Sequence, residues 1–492
     1  RYGHDTLDGV KFSCRAMAGR CQGGFCTPRV LQILSEETGA AYTGISKRGP
    51  GSEQVLDVLP GSPRQAGPQA TAAASTAEPM QTRYTDCAVV GAGAAGMAAA
   101  SRVAAAGHDV LLIDRESYAG GVLRQCIHNG FGIHEFGEEL TGPEYANRWI
   151  ETTRGLTRIM DTTVLSVSKQ DDGRFLLRTL SEEYGPSHII SRSVVLAMGS
   201  RERNRGGIRI PGDRPAGVMT AGTAQRLVNV EGLVPGKRAV IIGSGDIGLI
   251  MARRMKLIGA QVEAVIEIQP VPSGINRNIV QCLSDFGIPL YLGHVVTSIN
   301  GQDRVTSVDV AALRNGVART DEGFRIECDT VLLSVGLIPE NELSRDAGVD
   351  LHPHTNGPQV DGRLMTSVPG LFACGNVLHI HDLVDFVAEE AKRAGDAAAA
   401  WLSGEDVGTQ ISVKAGSNVR YVNPGRILAD GRNTLYLRSL IAKTDAQLVI
   451  RADGEQIRSK KEAHVQPSEM ISINLSGSKI PEGTKSLEVS IL

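Results

Sequence analysis

The stretch Gly91-Ala92-Gly93-Ala94-Ala95-Gly96, GAGAAG, decides the fold of this chain. It follows the apolar run DCAVV, opens a helical stretch, and precedes Asp114, which ends the next apolar run. Glycines at these spacings permit a tight turn and let the backbone approach a pyrophosphate at a helix N-terminus. An acidic residue at the end of the following strand can accept hydrogen bonds from the ribose hydroxyls of a nucleotide. The pattern therefore predicts a βαβ dinucleotide-binding unit rather than a turn that serves packing alone.

The same pattern occurs a second time, at Gly243-Ser244-Gly245-Asp246-Ile247-Gly248. It lies between the run RAVII and a helical stretch, and its acid is Glu267. A carboxylate at that position favours a free 2′-hydroxyl and repels a 2′-phosphate, and no arginine cluster follows it. We therefore predict a site for NAD rather than NADP. The alternative is a domain that keeps the fold but no longer binds a nucleotide.

Composition excludes several classes of protein. The chain has 492 residues, 51 basic and 54 acidic side chains and a net charge of −3, so nucleic acid is not expected as a partner. No apolar run reaches the roughly 18 residues of a membrane span. Eight scattered cysteines fit reduced thiols better than a disulfide framework. The chain opens on Arg1 without a leader pattern, so we expect a cytoplasmic protein whose first residue is not the natural start.

Three kinds of pattern follow one another along the chain. Residues 1–48 predict a small helical unit with Pro28 at a helix start, and the Pro- and Ala-rich residues 49–83 predict a flexible linker. From Tyr84 to about Leu402, apolar β-runs alternate with helical stretches, which is typical of buried parallel strands covered by helices. Short alternating strands over 410–492 predict an all-β module of sandwich type.

The segment GLFACGNV, Gly370–Val377, is followed by an amphipathic helix with Asp382 as the expected N-cap. Together with the two glycine motifs, Met198-Gly199 and Gly336, it makes the region resemble the flavoproteins with two dinucleotide-binding domains, which include thioredoxin reductase-like enzymes. The resemblance implies that FAD occupies the first motif. One departure is Asn376, where the class usually has Asp; an amide still donates and accepts hydrogen bonds.

This resemblance implies an α/β fold in which a NAD-binding domain, 215–335, is inserted into an FAD-binding domain, 84–214 and 336–405. The positive N-terminal end of the late helix would face the flavin. The FAD residues implied are Gly91, Gly93, Ala94, Ala95, Gly96, Asp114, Arg115, Gly120, Gly121, Arg124, Gly199, Gly375 and Asn376. The NAD residues implied are Gly243, Gly245, Asp246, Ile247, Gly248 and Glu267.

The sequence indicates less directly which group exchanges electrons with the flavin. No C-x-x-C or C-x4-C pair occurs from Tyr84 onward, so a dithiol relay is not expected. A single Cys126, with His128 nearby, suggests a lone-thiol reaction, although a buried inert thiol explains Cys126 equally well. His379 and His381 suggest proton handling, with packing or capping as the alternative. The catalytic candidates are therefore Cys126, His128 and His381.

The N-terminal stretch GRCQGGFC, Gly19–Cys26, carries two thiols on an open turn. With its surroundings it resembles the second half of the [2Fe-2S] domain of the bacterioferritin-associated ferredoxin type, found at the end of the large subunit of anaerobic glycerol-3-phosphate dehydrogenase. In that family an upstream C-x-C pair joins the C-x4-C pair that Cys21 and Cys26 match. The resemblance implies that the upstream ligands precede Arg1; Cys14 is a further thiol nearby. The alternative is a turn without metal, because two thiolates do not hold a cluster that takes four ligands.

Residues 84–492 also resemble FAD-dependent oxidoreductases that are encoded beside such a dehydrogenase subunit. The resemblance rests on long stretches such as GGVLRQCIHNGFGIHEFGEELTGPEYA and FACGNVLHIHDLVDFV. It implies an oxidoreductase that passes electrons between NAD(H), FAD and a [2Fe-2S] or partner centre, as an oligomer with a dehydrogenase subunit or fused dehydrogenase domain, through which it would also reach a membrane. The alternatives are a single-cysteine peroxide, persulfide or disulfide reductase and a non-catalytic flavoprotein scaffold.

Overall fold

The computed structural model of the chain describes residues 3–62, 81–406 and 408–492. The first compact unit comprises Arg1–Ala73 and Arg201–Ile338, and the second comprises Ala74–Ser200 and Pro339–Leu492. The helices are α1 Leu7–Cys14, α2 Thr27–Thr38, α3 Ala94–Ala105, α4 Gly142–Thr152, α5 Arg205–Ile208, α6 Ala221–Asn229, α7 Asp246–Leu257, α8 Asn276–Cys282, α9 Glu342–Asp346 and α10 Val384–Leu402.

The strands up to the C-terminal module are β1 Asp57–Val58, β2 Thr82–Val90, β3 Val110–Ile113, β4 Asn129–Phe131, β5 Leu140–Thr141, β6 Thr157–Ile159, β7 Thr162–Lys169, β8 Phe175–Ser181, β9 Gly185–Leu196, β10 Ser200–Glu202, β11 Val218–Thr220, β12 Leu233–Val234, β13 Arg238–Ile242, β14 Gln261–Glu267, β15 Leu290–Leu292, β16 His294–Asn300, β17 Ser307–Arg314, β18 Val317–Glu327, β19 Thr330–Leu333, β20 Leu337–Pro339 and β21 Leu371–Ala373. Those of the module are β22 Gln410–Ala415, β23 Val419–Asn423, β24 Arg426–Leu428, β25 Arg432–Ser439, β26 Lys443–Ala452, β27 Glu455–Val465, β28 Met470–Ser476 and β29 Ser486–Ile491. Short 3₁₀ turns lie at Tyr42–Gly44, Gly121–Gln125, Ser284–Phe286, Gly375–Val377 and Gly477–Lys479.

A seven-stranded sheet forms the centre of the second unit, in the order β6-β3-β2-β9-β8-β7, with β21 paired to β9. Strands β6, β3, β2, β9 and β21 run parallel, and β7 and β8 form an antiparallel edge. The parallel strands are apolar on both faces because helices cover the sheet, as β3 illustrates with four buried residues in succession. Their carboxyl ends meet at one edge, where ligands bind in open α/β sheets.

Helices α3 and α10 pack closely in this unit. A side chain at Gly395 of α10 would come within 2.4 Å of the Ala99 carbonyl oxygen of α3, so the contact requires glycine. Alanine-rich faces on both helices allow the same close approach. The contact fixes α10 against the helix that follows the GAGAAG turn.

The C-terminal module is a sandwich of a five-stranded sheet, β24-β22-β29-β26-β27, and a three-stranded sheet, β23-β25-β28. Alternate residues of both sheets point into a shared apolar core that includes Leu435, Leu448 and Val489. The predicted all-β module is therefore confirmed.

The first unit contains a five-stranded parallel sheet, β11-β19-β13-β14-β15, and a three-stranded antiparallel sheet, β16-β17-β18. The N-terminal segment packs onto the same core: Leu31, Ile45 and Val55 are buried together with Leu227 and Met251. Strand β1, which lies within the region predicted as a linker, pairs with β12. Residues 63–80 of that predicted linker lie outside the described residues.

The α/β fold with two dinucleotide-binding domains is confirmed. Helix α2 also begins at the predicted place, with Pro28 in its first turn, and ends at Gly39. The predicted N-cap at Asp382 is wrong: Leu383 occupies that position, because the Asp382 carboxylate instead accepts hydrogen bonds from Arg438 and from the Met470 backbone. No helix among the described residues has both the length and the apolar character needed to cross a membrane.

Candidate functional site

The GAGAAG turn, Gly91–Gly96, lies between β2 and α3 at the carboxyl edge of the sheet, and we call it the first glycine cradle. Gly91 has φ +105°, and a side chain there would lie 2.4 Å from the Ala197 carbonyl oxygen. A side chain at Gly96 would lie 1.7 Å from the Gly91 carbonyl oxygen. Both glycines are therefore required by the fold itself.

Gly93 differs from these two glycines. Its φ of −79° is open to any residue, and a side chain there would meet no protein atom within 4 Å. Neither backbone conformation nor packing explains a glycine at this position. A pyrophosphate that approaches the N-terminus of α3 does explain it, since a side chain would fill the space that the phosphates need. The first glycine cradle thus fits a dinucleotide.

Several predicted residues converge on this cradle. Asp114 accepts a hydrogen bond from the Ala92 amide at 2.6 Å, and burial raises the pKa of its carboxyl group. The Gly120 amide donates to the Ala92 carbonyl at 2.9 Å. A side chain at Gly121, which has φ +54°, would lie 3.2 Å from Gly93 Cα. The predicted second glycine pair therefore lies directly beside the first glycine cradle.

The late turn, Gly375–Val377, reaches the same place from β21. A side chain at Gly375, which has φ +74°, would lie 2.8 Å from Ala95 Cβ at the start of α3. The Gly375 amide donates to Glu390 Oε1 at 2.7 Å, and Asn376 Oδ1 accepts from the His381 amide at 3.0 Å. Asn376 thus uses its acceptor oxygen to shape the turn, which an aspartate would do equally well.

The remaining FAD candidates lie around these turns. Ala94 is the first residue of α3 and is buried. The Arg124 guanidinium lies over the ring of Tyr118, 3.8 Å from its centroid, and Arg115 is exposed. Gly199 has φ +73°, and its carbonyl accepts from the Glu340 amide. Their part in FAD binding stays a prediction.

The second glycine cradle, Gly243–Gly248, connects β13 to α7 in the first unit. Side chains at Gly243 and Gly248 would lie 2.0 Å from the Ser334 carbonyl oxygen and 2.6 Å from Ser334 Cβ. Gly245 has an ordinary φ of −66°, and a side chain there would lie 3.2 Å from Ser334 Oγ. The two outer glycines are required by packing, as in the first cradle, but Ser334 also crowds the central position here. The fit of this cradle to a dinucleotide therefore rests on the tight turn at the N-terminus of α7 rather than on open space at Gly245.

Glu267 ends β14 beside the second cradle and is only 3% exposed. Its Oε2 accepts from the Ser244 amide at 2.9 Å, from Ser244 Oγ at 2.6 Å and from Ser273 Oγ at 3.0 Å. Asp246 accepts from the Ile275 amide at 3.0 Å, and Ile247 packs against the core. The part of these residues and of Glu267 in NAD binding stays a prediction; a ribose hydroxyl that bound Glu267 would replace one of its serine hydroxyl contacts.

Cys126 follows the 3₁₀ turn that begins at Gly121. The residue is partly exposed, yet desolvation of its sulfur raises the pKa of the thiol to about 12. Its backbone carbonyl accepts from the Gly142 amide, and His128 Nδ1 lies 3.0 Å from the Asn129 carbonyl oxygen. A thiol with so high a pKa is protonated near neutral pH, whereas a nucleophilic cysteine has a lowered pKa.

His379 and His381 lie between the late turn and α10. Neither side chain has any exposed surface, and both face Glu390. The His381 side chain has no exposed surface, and its part in catalysis stays a prediction.

The N-terminal thiols lie at the end of α1 and on the turn that connects it to α2. Cys14 is exposed, and Cys21 and Cys26 are partly exposed. Burial raises the pKa of Cys26, and the nearby thiols of Cys21 and Cys14 raise it further. Cys14 is the last residue of α1, and its influence on the pKa of Cys26 is weaker than that of Cys21. The three sulfurs are not gathered to within 4.8 Å of one another.

Two buried acids of α10, Glu390 and Asp385, were not predicted from the sequence as partners of the late turn and of the 129–136 segment. Glu390 fixes Gly375, and Asp385 accepts from the amides of Gly132 and His134, which holds the 129–136 segment onto α10. Both acids are buried on α10, which is otherwise an ordinary amphipathic helix. Buried acids on an amphipathic helix are uncommon unless they are paired, and their burial shows only in the folded chain.

Comparisons with known proteins agree with this geometry. The family model for pyridine nucleotide-disulphide oxidoreductases matches residues 85–400. An opine oxidase subunit of Agrobacterium tumefaciens (strain Ach5) is 25% identical over 421 residues, which cover 77% of this chain and 78% of that protein. The sarcosine oxidase alpha subunit of Corynebacterium sp. (strain P-1) is 30% identical over 275 residues, or 52% of this chain but only 26% of that protein.

Among solved structures, thioredoxin reductase of T. acidophilum superposes with a TM-score of 0.53 and 26% identity, covering 65% of this chain and 98% of that one. The residues that the family model matches, 85–400, include both glycine cradles and the late turn. The chain therefore belongs to the pyridine nucleotide-disulphide oxidoreductase family and is an FAD-dependent oxidoreductase.

Proposed function

We propose that this chain is a cytoplasmic NADH-linked flavoprotein that passes electrons between NAD(H), FAD and a one-electron centre, either a [2Fe-2S] cluster or a centre in a partner subunit. FAD exchanges two electrons with a pyridine nucleotide and can release them one at a time, which suits it to this position. We further propose that it serves a glycerol-3-phosphate dehydrogenase-like complex. The main support is the presence of two glycine cradles. Their central glycines, Gly93 and Gly245, have backbone angles that any residue can adopt, so the backbone conformation does not require glycine at these positions.

The relatives support an assembly of several subunits. Two of them are named as subunits, of opine oxidase and of sarcosine oxidase. Because this chain spans about a quarter of the second, the whole protein's substrate and partners are part of the proposal. No paired-thiol motif follows residue 84, so the electrons are not expected to leave through a dithiol.

The test is anaerobic reduction of the purified chain by NADH, followed at about 450 nm, a wavelength generic to oxidised flavins. We expect bleaching, and then recovery of the absorbance when a one-electron acceptor such as ferricyanide is added. A flavin that NADH does not bleach would favour the scaffold alternative over the proposal.

We expect Cys126→Ser to change the rate of flavin reduction by less than about twofold. The reason is that a thiol with a pKa of about 12 is protonated near neutral pH and is a weak nucleophile. Stopped-flow reduction by NADH and turnover with a disulfide or peroxide substrate measure the effect. A tenfold loss of disulfide or peroxide turnover would instead support the single-cysteine reductase.

We expect the chain as given to hold no stoichiometric [2Fe-2S] cluster after anaerobic reconstitution. Only Cys14, Cys21 and Cys26 lie in this region, and such a cluster takes four protein ligands. Iron and sulfide analysis and electron paramagnetic resonance of the reduced protein check this. A full cluster that Cys21→Ser abolishes would contradict the expectation and would show a fourth ligand elsewhere, for example in a second copy.

A further inference from the structure

Three side chains with no part in the proposed electron transfer meet in the second unit: His379, His381 and Glu390. The two histidines follow the late turn Gly375–Val377, and Glu390 lies on α10. All three side chains have no exposed surface. One ligand-type atom from each lies within 4.8 Å of the others, and no other group of His, Cys, Asp or Glu in the described part of the chain is gathered so closely.

Glu390 has no partner that carries a fixed positive charge. Its side chain has no exposed surface, and its carboxylate faces the imidazoles of His379 and His381. Within the described residues no Lys or Arg forms an ion pair with Glu390. Buried carboxylates are paired with another group or bind a metal ion, so this one suits a cation.

The hydrogen bonds of the cluster are also incomplete. His379 Nε2 lies 2.8 Å from Glu390 Oε2 and is hydrogen-bonded to it. His381 Nε2 lies 3.2 Å from Glu390 Oε1 but lacks the geometry of a hydrogen bond. Of the four ring nitrogens, the other three have no hydrogen-bond partner among the described residues. Buried polar atoms are almost always hydrogen-bonded in folded proteins, so these three nitrogens call for a ligand.

One nitrogen of each imidazole faces a different oxygen of the same carboxylate. The separations of 2.8 and 3.2 Å match those between neighbouring ligands of one ion, which are about 3 Å when metal–ligand bonds are about 2.0–2.2 Å long. An ion between them would meet two nitrogens and two oxygens at once. Imidazole and carboxylate ligands suit zinc and the neighbouring divalent transition metals.

We propose that His379, His381 and Glu390 bind one divalent transition-metal ion, with Zn²⁺ as the expected occupant. Each imidazole contributes one ring nitrogen, and the carboxylate contributes both oxygens. The ion supplies positive charge beside Glu390 and engages His381 Nε2, which is otherwise unpaired. Because no ligand side chain is exposed, the site is closed and structural, without a position for a substrate.

The surroundings suit a rigid site of this kind. The rings of Tyr421 and Tyr436, from β23 and β25, pack edge-on against the imidazoles at centroid distances of 6.1 and 5.1 Å. Arg438 of β25 donates to the Ile380 carbonyl at 3.0 Å, between the two histidines. The ion would therefore join the late turn, α10 and the face of the C-terminal module that covers them.

The experiment is metal analysis of the full-length chain, expressed with zinc, iron and manganese supplied and purified without chelator. We expect close to one ion per protomer, and its loss in His381→Gln. His381 is the decisive position because its side chain makes no hydrogen bond that the substitution would break. The matched control is His354→Gln, which removes an exposed histidine of the same unit and should keep the ion.

A second measurement remains valid if the variant does not fold. The wild-type chain is stripped with a chelator and titrated with Co²⁺, and we expect visible d–d bands that saturate at one equivalent, together with a rise in Tm. No metal in the purified chain and no saturable Co²⁺ band would overturn the proposal and leave a purely hydrogen-bonded cluster. An ion that His381→Gln retains but Cys21→Ser loses would overturn it as well, because the N-terminal thiols would then be the ligands.

Discussion

Gly93→Val should yield a folded, colourless protein with less than about a tenth of the FAD content of the parent chain. The position has open space in front of it, so valine meets no protein atom within 4 Å but occupies the volume assigned to the pyrophosphate. Its φ of −79° and ψ of −169° suit a β-branched residue. Flavin absorbance per protomer after denaturation measures the loss, and far-UV circular dichroism reports whether the fold remains.

The matched control is Gly155→Val, at an exposed position that also lacks neighbouring atoms within 4 Å and lies outside the cradle. It should keep full FAD content. A Gly93→Val protein with full flavin occupancy would contradict the assignment of the first glycine cradle. Loss of FAD in both variants would show instead that added valines destabilise the unit in general.

The glycine motifs were sufficient to predict the fold because their requirements are local. Gly91 and Gly96 are needed wherever a strand, a tight turn and a helix meet at this distance, and the structure shows both contacts. The same logic applied at Gly243 and Gly248. The flanking apolar runs then fixed the parallel sheet, since strands covered on both faces are apolar throughout.

The buried polar neighbours could not be predicted from the sequence in the same way. Glu390 accepts a hydrogen bond from the Gly375 amide, which lies 15 residues earlier in the sequence. Asp385 contacts a segment more than 250 residues away in the sequence. Such pairings depend on tertiary packing rather than on spacing. Asp382 shows the same effect: its residue type and position favour an N-cap, but the guanidinium of Arg438 provides a charged partner that the sequence does not reveal.

NADH should reduce the flavin at least about tenfold faster than NADPH at low nucleotide concentration, and Glu267→Gln should narrow that preference. A 2′-phosphate would bring negative charge to a carboxylate that is 3% exposed, and tenfold corresponds to about 1.4 kcal/mol. Glutamine keeps an oxygen that can accept from Ser244 but removes the charge. An arginine would not fit, because Ser244 and Ser273 surround the position. Anaerobic stopped-flow reduction with both nucleotides gives the ratio.

Glu263→Gln is the control for this prediction. It removes the same charge from the same strand, β14, but from its opposite end, where Glu263 pairs with Arg238. The NADH preference should survive in this variant, because the altered charge lies far from the second glycine cradle along the strand. Equal reduction by NADH and NADPH in the parent chain would mean that Glu267 serves only to hold Ser244 and Ser273. A preference that Glu267→Gln leaves unchanged would place the discrimination in the loop 268–274, since that loop follows the acid directly and would then contact the ribose in its place.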